Sequence, residues 1–325
     1  MTHGDSLQLA EMNEQLPIVS AIIPAYNAAD YIGAALDSIF SQTMTDYEVI
    51  VINDGSPDTV QLEQALAPYL SRIVYLKQEN RGAAAARNAG LRIARGRFVA
   101  FLDADDFWLP EFLSEQIRFL ETSGADMVYA DALLIGSVSQ QGRTYMELTP
   151  SHGKVTSVSL LNATSNVITS GVLARAASII EVGMFDEGIK RGHDFDLWLK
   201  LAKQGARIDF QRKVLLQHRV LESSLSGDLV SRHGRTLKVL ESINKRHQLS
   251  ASEQAALDRS VRRGTAALNV ELGKEKLLQK DFGGAAVAFK DANRFYQSWK
   301  LRAVLLGLRL APQLLWRIYY RNKPS

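Results

Sequence analysis

Along the first third of the chain, short apolar runs alternate with stretches whose apolar residues recur every three or four positions. Residues 18–23 are apolar and β-branched, and Pro24-Ala25-Tyr26-Asn27 ends the run. Asp30 is placed to cap a helix that carries Ile32, Leu36, Ile39 and Phe40 on one face. Residues 47–52 predict a second strand, stopped by the dense turn signal Asn53-Asp54-Gly55-Ser56-Pro57, and residues 73–76 predict a third. An Ala-rich helix over 83–94 follows a loop at 79–82. A fourth strand over 98–102 runs into Asp103-Ala104-Asp105-Asp106, and Pro110 stands at the first turn of a helix that buries Phe112, Leu113, Ile117 and Leu120. This alternation predicts an α/β fold on a parallel sheet with right-handed crossovers. Ligands of such sheets sit beyond the carboxyl ends of the strands. The polar clusters at Asn53-Asp54, Asn80-Arg81-Gly82 and Asp103 to Asp106 all fall there.

After residues 127–134 the rhythm loosens, and residues 137–166 are polar and unassigned. A helix returns over 194–205 with Leu197, Trp198 or Leu199, and Leu201 on its apolar side, and from Asp228 onward nearly everything reads as helix. That shift divides the chain into a lead-in over 1–16, an α/β domain over 17–227 (halves 17–134 and 135–227) and a helical region over 228–325. The lead-in carries Asp5, Glu11 and Glu14 without an apolar run, so it reads as disordered and not as a signal peptide.

Composition narrows the function classes. The chain has 325 residues, 46% hydrophobic and 22% charged, and its net charge of +3 implies no nucleic-acid partner. Without cysteine there is neither disulfide nor thiolate metal site, in keeping with a reducing, cytoplasmic location. The first strand–helix turn lacks G-x-G-x-x-G, and no P-loop, H-E-x-x-H or G-x-S-x-G occurs. A phosphate-bearing ligand here would need a cation. Asp103 and Asp105, two residues apart at a strand end, suit Mg²⁺ or Mn²⁺, which bind through one or two carboxylates plus substrate phosphates.

Five segments in order then resemble one family. Residues 19–27, Asn53-Asp54-Gly55-Ser56, Asn80-Arg81-Gly82 with Ala86-Arg87-Asn88-Ala89-Gly90, and Phe101-Leu102-Asp103-Ala104-Asp105-Asp106 look like the donor half of a family 2 glycosyltransferase. Residues 181–187 followed by His193-Asp194-Phe195-Asp196-Leu197-Trp198-Leu199 resemble its acceptor half. The resemblance implies the GT-A fold, a Rossmann-like mixed sheet flanked by helices, with an all-helical C-terminal appendage. It implies an inverting, Mn²⁺- or Mg²⁺-dependent transfer from a nucleotide diphosphate sugar, a UDP-sugar, to a hydroxyl of a glycan or lipid-linked glycan in cell-surface polysaccharide synthesis. Asp54 would bind the nucleobase, in a donor pocket with Pro24, Tyr26, Asn27, Arg81, Gly82, Asn88 and Asp103. Asp105, with Asp103, would hold the metal, and Asp194 would be the catalytic base. His193, standing where the motif has Glu, would be an acceptor-site or supporting residue. Arg219 with Ser224-Leu225-Ser226 resembles an element that closes over the donor phosphates, its usual histidine replaced by Leu221. Asn53 stands in place of an Asp.

Each position has a plainer use. Asp54 suits an Asx turn, and Asp106, Asp194 or Asp196 a helix N-cap. The ordered motifs favour ligand roles for Asp54, Asp105 and Asp194, and leave Asp106 and Asp196 as caps. Arg87 stays open between steering phosphate and pairing structurally. A sugar-nucleotide pyrophosphorylase is a rival, but Pro24-Ala25-Tyr26-Asn27 replaces its Gly-rich loop. A catalytically silent scaffold with an interacting tail is another, but it would be expected to lack one of the four Asp.

In the tail, Leu272-Gly273, Phe282, Ala285, Phe289 and Ala292 have the spacing of one tetratricopeptide-like hairpin, expected to pack on the catalytic domain. Residues 292–325 hold seven Lys or Arg and no acid. Leu305 to Tyr319 supply an apolar face, divided by Pro312 and dotted with Arg302, Arg309, Arg317, Arg321 and Lys323. That pattern suits a helix lying on an anionic membrane surface, which would make the protein peripheral on the inner face, or else leucines that pack on the tail's other helices. No apolar run approaches the roughly 20 residues of a spanning helix.

Overall fold

The computed structural model describes residues 16–136, 141–220 and 229–321. Almost all of the predicted lead-in, the boundary near Gly227, Leu221, Ser224 to Ser226 and Lys323 lie outside them.

The sheet grows from β1 (Val19–Ala25), β2 (Tyr47–Asp54), β3 (Val74–Gln78) and β4 (Phe98–Phe101), which are parallel in the order β3-β2-β1-β4. The rest departs from the parallel expectation. Strand β7 (Val172–Arg175) is antiparallel to both β4 and β6 (Met127–Ile135), β6 is parallel to β8 (Ile208–Arg219), and the two-residue β5 (Phe107–Trp108) closes the edge against β8. The alternating strand–helix rhythm exists only where crossovers are helical, and it stops at β4. The sheet is therefore mixed, as the resemblance implied.

Period-two burial puts Val19, Ala21 and Ile23 of β1, with Val49 and Val51 of β2, on one face. There they meet Ile32, Leu36 and Ile39 of α1 (Ile32–Phe40) and Leu62 and Leu66 of α2 (Thr59–Leu66). Ile22, Ile50, Ile52, Val99 and Phe101 face the other way, against α3 (Ala83–Ile93) and Leu197, Trp198 and Leu201 of α8 (His193–Lys203). Small residues let α3 lie close to the strands, and a Cβ on Gly90 would meet Ile22 Cγ2 at 2.6 Å and Ile52 Cδ1 at 3.0 Å. Asp30 does not cap α1, whose N-cap is Tyr31 without a side-chain bond. Pro110 precedes α4 (Phe112–Ser123), which Glu111 opens.

The unassigned stretch contains α5 (Tyr145–Leu148) and α6 (Ser157–Leu161), each opened by a capping box, Thr144 with Glu147 and Thr156 with Ser159. A six-residue α7 (Ala176–Glu181) follows β7. The C-terminal region is α9 (Leu229–Arg246), α10 (Ala251–Leu278), α11 (Phe282–Tyr296), α12 (Trp299–Leu310) and α13 (Pro312–Arg321). Leu240, Ile243, Ala256 and Leu257 seat it on Leu161 of α6 and Leu199 of α8. Ser260 also donates to the Leu161 carbonyl at 2.6 Å. Helices α10 and α11 form a tight pair, with Gly273 against the Phe289 ring. Pro312 separates α12 from α13. Leu315, Trp316 and Tyr319 pack inward while Leu306, Leu310, Leu314 and Ile318 are exposed.

Because Gly90 has no room for a side chain, Gly90→Val should destabilise the fold by about 2–3 kcal/mol, as overpacking of a tight core does. Thermal unfolding of the purified variant against wild type checks this, and an unchanged midpoint would refute the tight α3–sheet contact.

Candidate active site

A cleft of about 1080 Å³ opens at the carboxyl ends of β1, β2 and β4. Pro24, Tyr26 and Asn27 follow β1 along one wall, Asp54 ends β2, Gly82 caps α3, and Asp103 and Asp105 follow β4. His193 and Asp194 reach it from the head of α8. The four expected Asp thus share one cavity. Arg81, Asn88 and Arg219 are not in its lining.

The turn after β2 divides its work between two adjacent side chains. Asn53 makes the Asx turn, its Oδ1 accepting the Ser56 N–H at 2.9 Å. Gly55 takes a left-handed φ of 61°, and a Cβ there would meet the Asn80 nitrogen at 2.5 Å, so this turn lies against the 79–82 loop. Asp54 holds that loop. Its carboxylate accepts N–H groups from Arg81 (2.9 Å) and Gly82 (2.7 Å) and the Gln78 amide (2.7 Å). The Arg81 guanidinium points elsewhere and pairs with Glu187 at 2.6 Å. Asn88 is buried and bonds Phe185 through both backbone groups, besides Glu187. Both side chains therefore brace the 185–187 loop against α3.

The Asp103–Asp106 loop is crowded with charge. Buried Arg87 pairs with Asp103, and its Nη1 lies 2.8 Å from His193 Nε2. Burial first, then the Arg87 charge, holds the His193 pKa below its ordinary value. Arg87 is thus a partner of Asp103 at the cleft wall. Asp106 is no helix cap, which corrects the sequence expectation. It is fully buried and accepts from Ser170, from His218 at 3.0 Å and from the Arg219 N–H at 2.8 Å. Burial opposes a charge on His218, but the hydrogen bond and charge of Asp106, with Asp103 and Asp105 nearby, raise its pKa. Asp105 alone of the three makes no ion pair among the described residues. Burial, then the charges of Asp106 and Asp103, push its pKa up to about 6. Arg219 reaches its backbone carbonyl at 3.2 Å and stacks between Tyr31 and Phe107.

On α8, neither Asp is the cap, because Gly192 opens the helix with φ 76°. Asp194 accepts from Thr169 at 3.2 Å and from the Phe195 N–H at 2.8 Å, and it faces the cleft. Asp196 faces away, bonded by His247 at 2.7 Å and Lys200 at 3.4 Å. Sequence reasoning missed four cations of the lining, Lys190 and Arg191 before α8 and Arg232 and Arg235 on α9. Arginines three apart on a helix put both on one face, but nothing in the sequence said which face met the cleft.

Among the described residues no three His, Cys, Asp or Glu converge to hold a metal by themselves. A cation would rest on Asp105, assisted by Asp103, with ligand phosphates completing its shell, the mode common for Mg²⁺. The repulsion that raises the Asp105 pKa fits such a cation.

The family model described as glycosyl transferase family 2 matches residues 20–183. An uncharacterized glycosyltransferase of Rickettsia felis is 28% identical over 77% of this chain and 41% of its own length, so the chain spans less than half of that relative. Among solved structures, the mannosyltransferase PcManGT from Pyrobaculum calidifontis, in complex with GDP-Man and Mn²⁺, is 19% identical. It matches 95% of this chain and 84% of its own with a TM-score of 0.64. S. aureus TarS 1-349 in complex with UDP-GlcNAc is 20% identical, with 93% and 91% covered and a TM-score of 0.60. At these identities the likeness is one of fold.

Asp196 gives a pH-dependent test. Burial alone would raise its pKa, but the His247 bond and the Lys200 charge outweigh that and lower it. A lowered folded pKa adds stability above the unfolded value of about 3.9, and this is lost as pH falls through the folded value. Asp196→Asn should therefore cost about 1–3 kcal/mol at pH 7, with a deficit that closes below about pH 4. Melting curves across pH check it, and an equal deficit at every pH would refute the charged pairing.

Proposed function

The chain belongs to glycosyl transferase family 2, and from that premise we propose that it transfers a sugar from a nucleotide diphosphate sugar, a UDP-sugar, to a hydroxyl of a glycan or lipid-linked glycan, with inversion. One observation carries this reading. Asp105 and Asp194 line the same cleft, and neither makes an ion pair among the described residues, whereas Asp103 pairs with Arg87 and Asp106 is bonded by His218. The PcManGT complex, with GDP-Man and Mn²⁺, supports a metal-bound nucleotide donor.

The donor diphosphate lies along residues 24–27 and the N-terminal end of α3, since a helix N-terminus favours anions. Lys190, Arg191, Arg232 and Arg235 also line the cleft and add positive charge. Asp105 with Asp103 would hold Mn²⁺ or Mg²⁺, and such an ion would supply positive charge to offset that of the departing diphosphate. Asp194 takes the proton of the acceptor hydroxyl as its oxygen bonds to the anomeric carbon. The bond from that carbon to the diphosphate breaks, and its electron pair leaves with the nucleotide. General-base help of this kind contributes about 10²–10⁴-fold.

Asp194→Asn should bind UDP or GDP as wild type does yet lose about 10²–10⁴-fold in turnover, because the proton transfer belongs to the transition state alone. Asp105→Ala should lose both turnover and metal-dependent nucleotide binding. Isothermal titration with UDP and GDP, with and without MnCl₂, alongside donor turnover checks the pair. Full activity of Asp105→Ala in excess chelator would sink the metal role.

The exposed Leu306, Leu310, Leu314 and Ile318 beside a basic, acid-free C-terminus support a peripheral site on an anionic bilayer. No helix among the described residues is long and apolar enough to cross a membrane. The protein should sediment with phosphatidylglycerol vesicles at low salt and be released by salt, since each basic residue near anionic lipid adds about 1 kcal/mol. Sedimentation unaffected by Leu310→Ser with Leu314→Ser would refute contact through this face.

A further inference from the structure

A second cavity, of about 570 Å³, lies between the α/β domain and the tail. It shares Asp194, Thr236 and Val239 with the first cleft. Two of these are on α9, so this helix marks the border, and Asp194 opens to both sides. The border is tight, for a Cβ on Gly192 would meet Val239 Cγ1 at 2.6 Å. Helix α9 therefore packs directly on the turn that presents Asp194.

The two cavities differ in chemistry. The first is lined by five Lys or Arg (Arg87, Lys190, Arg191, Arg232 and Arg235). The second is lined by aromatic residues (Tyr145, Phe195, Trp198 and Tyr296) and aliphatic ones such as Leu160 and Leu240, with small or polar groups such as Ala267 and Asn166 between them. Its one guanidinium, Arg263, already donates to the Asn162 carbonyl at 2.8 Å. His233 is held below its ordinary pKa by burial and then by the Arg232 charge. Among the described residues of this lining, Asp194 and Arg263 carry the formal charges.

We propose that this chamber seats the acceptor, that its reacting unit is a sugar ring, and that the tail helices select it. This rests on the reading of Asp194 as the base. A ring's C–H face suits aromatic walls, and its hydroxyls suit the scattered polar groups. A hydrocarbon chain would instead leave Asp194 and those groups desolvated and unpaired. The volume lies within the range of roughly 300–1,000 Å³ typical of small-molecule sites. A ring seated here places a hydroxyl within reach of Asp194, which lines both cavities.

The test uses p-nitrophenyl pyranosides of six sugars: glucose, galactose, mannose, rhamnose, N-acetylglucosamine and N-acetylgalactosamine. Their affinities for the full chain are measured by ligand-observed NMR with UDP and MnCl₂ present, and UDP and GDP binding is titrated on the same samples. At least one glycoside should bind wild type. Ala267→Trp, which fills the chamber, should weaken it at least tenfold, and Tyr296→Ala, which removes a wall, by about fivefold. Nucleotide affinity should change less than twofold in both. Should Ala267→Trp not fold, Tyr296→Ala decides alone. Overturning results are no glycoside bound while nucleotide binds, glycoside affinity unchanged in the folded variants, or decanol binding displaced by Ala267→Trp in place of any glycoside. Absence of both UDP and GDP binding from wild type would overturn the donor reading first, and this one with it.

Discussion

The buried carboxylate of Asp106 accepts hydrogen bonds from two distant stretches of chain at once: Ser170 before β7, and His218 and the Arg219 N–H at the end of β8. Ser170 in turn accepts the Asp103 N–H at 3.1 Å, and its carbonyl takes the Trp108 indole at 2.8 Å. The loop after β4 is therefore fixed to strands of the mixed half of the sheet. A buried anion that lost these partners would be costly, about 3–5 kcal/mol when one member of such a pair is removed. The position of the neighbouring Asp105 follows from this anchoring.

Around that anchor the protein sorts its carboxylates by what neutralises them. Asp54 is engaged by loop N–H groups, Asp103 by Arg87, Asp106 by His218 and Asp196 by Lys200 and His247. Asp105 and Asp194 face the cleft and make no ion pair among the described residues. Unbalanced charge in a partly desolvated cleft is unfavourable unless a ligand balances it, and perturbed groups of this kind concentrate at functional sites. Arg87 is central to the sorting, since it pairs with Asp103 and abuts His193 at the same time.

Much of this was legible in sequence, and the reason differs by element. Strands β1, β2 and β4 are read as apolar runs bounded by turns, because both of their faces are covered. The convergence of Asp54, Asp103 and Asp105 follows from strand polarity, which places every strand-end loop of a parallel sheet on one edge. Asp194 was found by its motif. Asp106 was misread as a cap because an acidic residue in a loop before a helix looks the same in sequence whether it caps that helix or bonds a His 112 residues away. The order of β5 to β8 was hidden for a similar reason, since antiparallel returns through irregular segments leave no period. Arg81 and Asn88 illustrate the limit of residue-by-residue transfer, for their side chains meet Glu187 and Phe185 and not the cleft.

The tail changes the meaning of a domain boundary in this chain. A composition shift near residue 227 separates α/β from helical sequence, yet α9 contributes Arg232 and Arg235 to the cleft and seats Val239 against the Gly192 turn. His247, one residue beyond α9, bonds Asp196 on the buried side of α8. The helix that presents Asp194 is thus held on one face by the sheet, through Leu197 and Trp198, and on the other by the tail, through Leu199 and Asp196. In the proposed role of base, Asp194 would have to be held to within about an ångström of its substrate. Rigid packing on both faces of a short helix is a physical way to achieve that, and it makes the helical region part of the active site's construction.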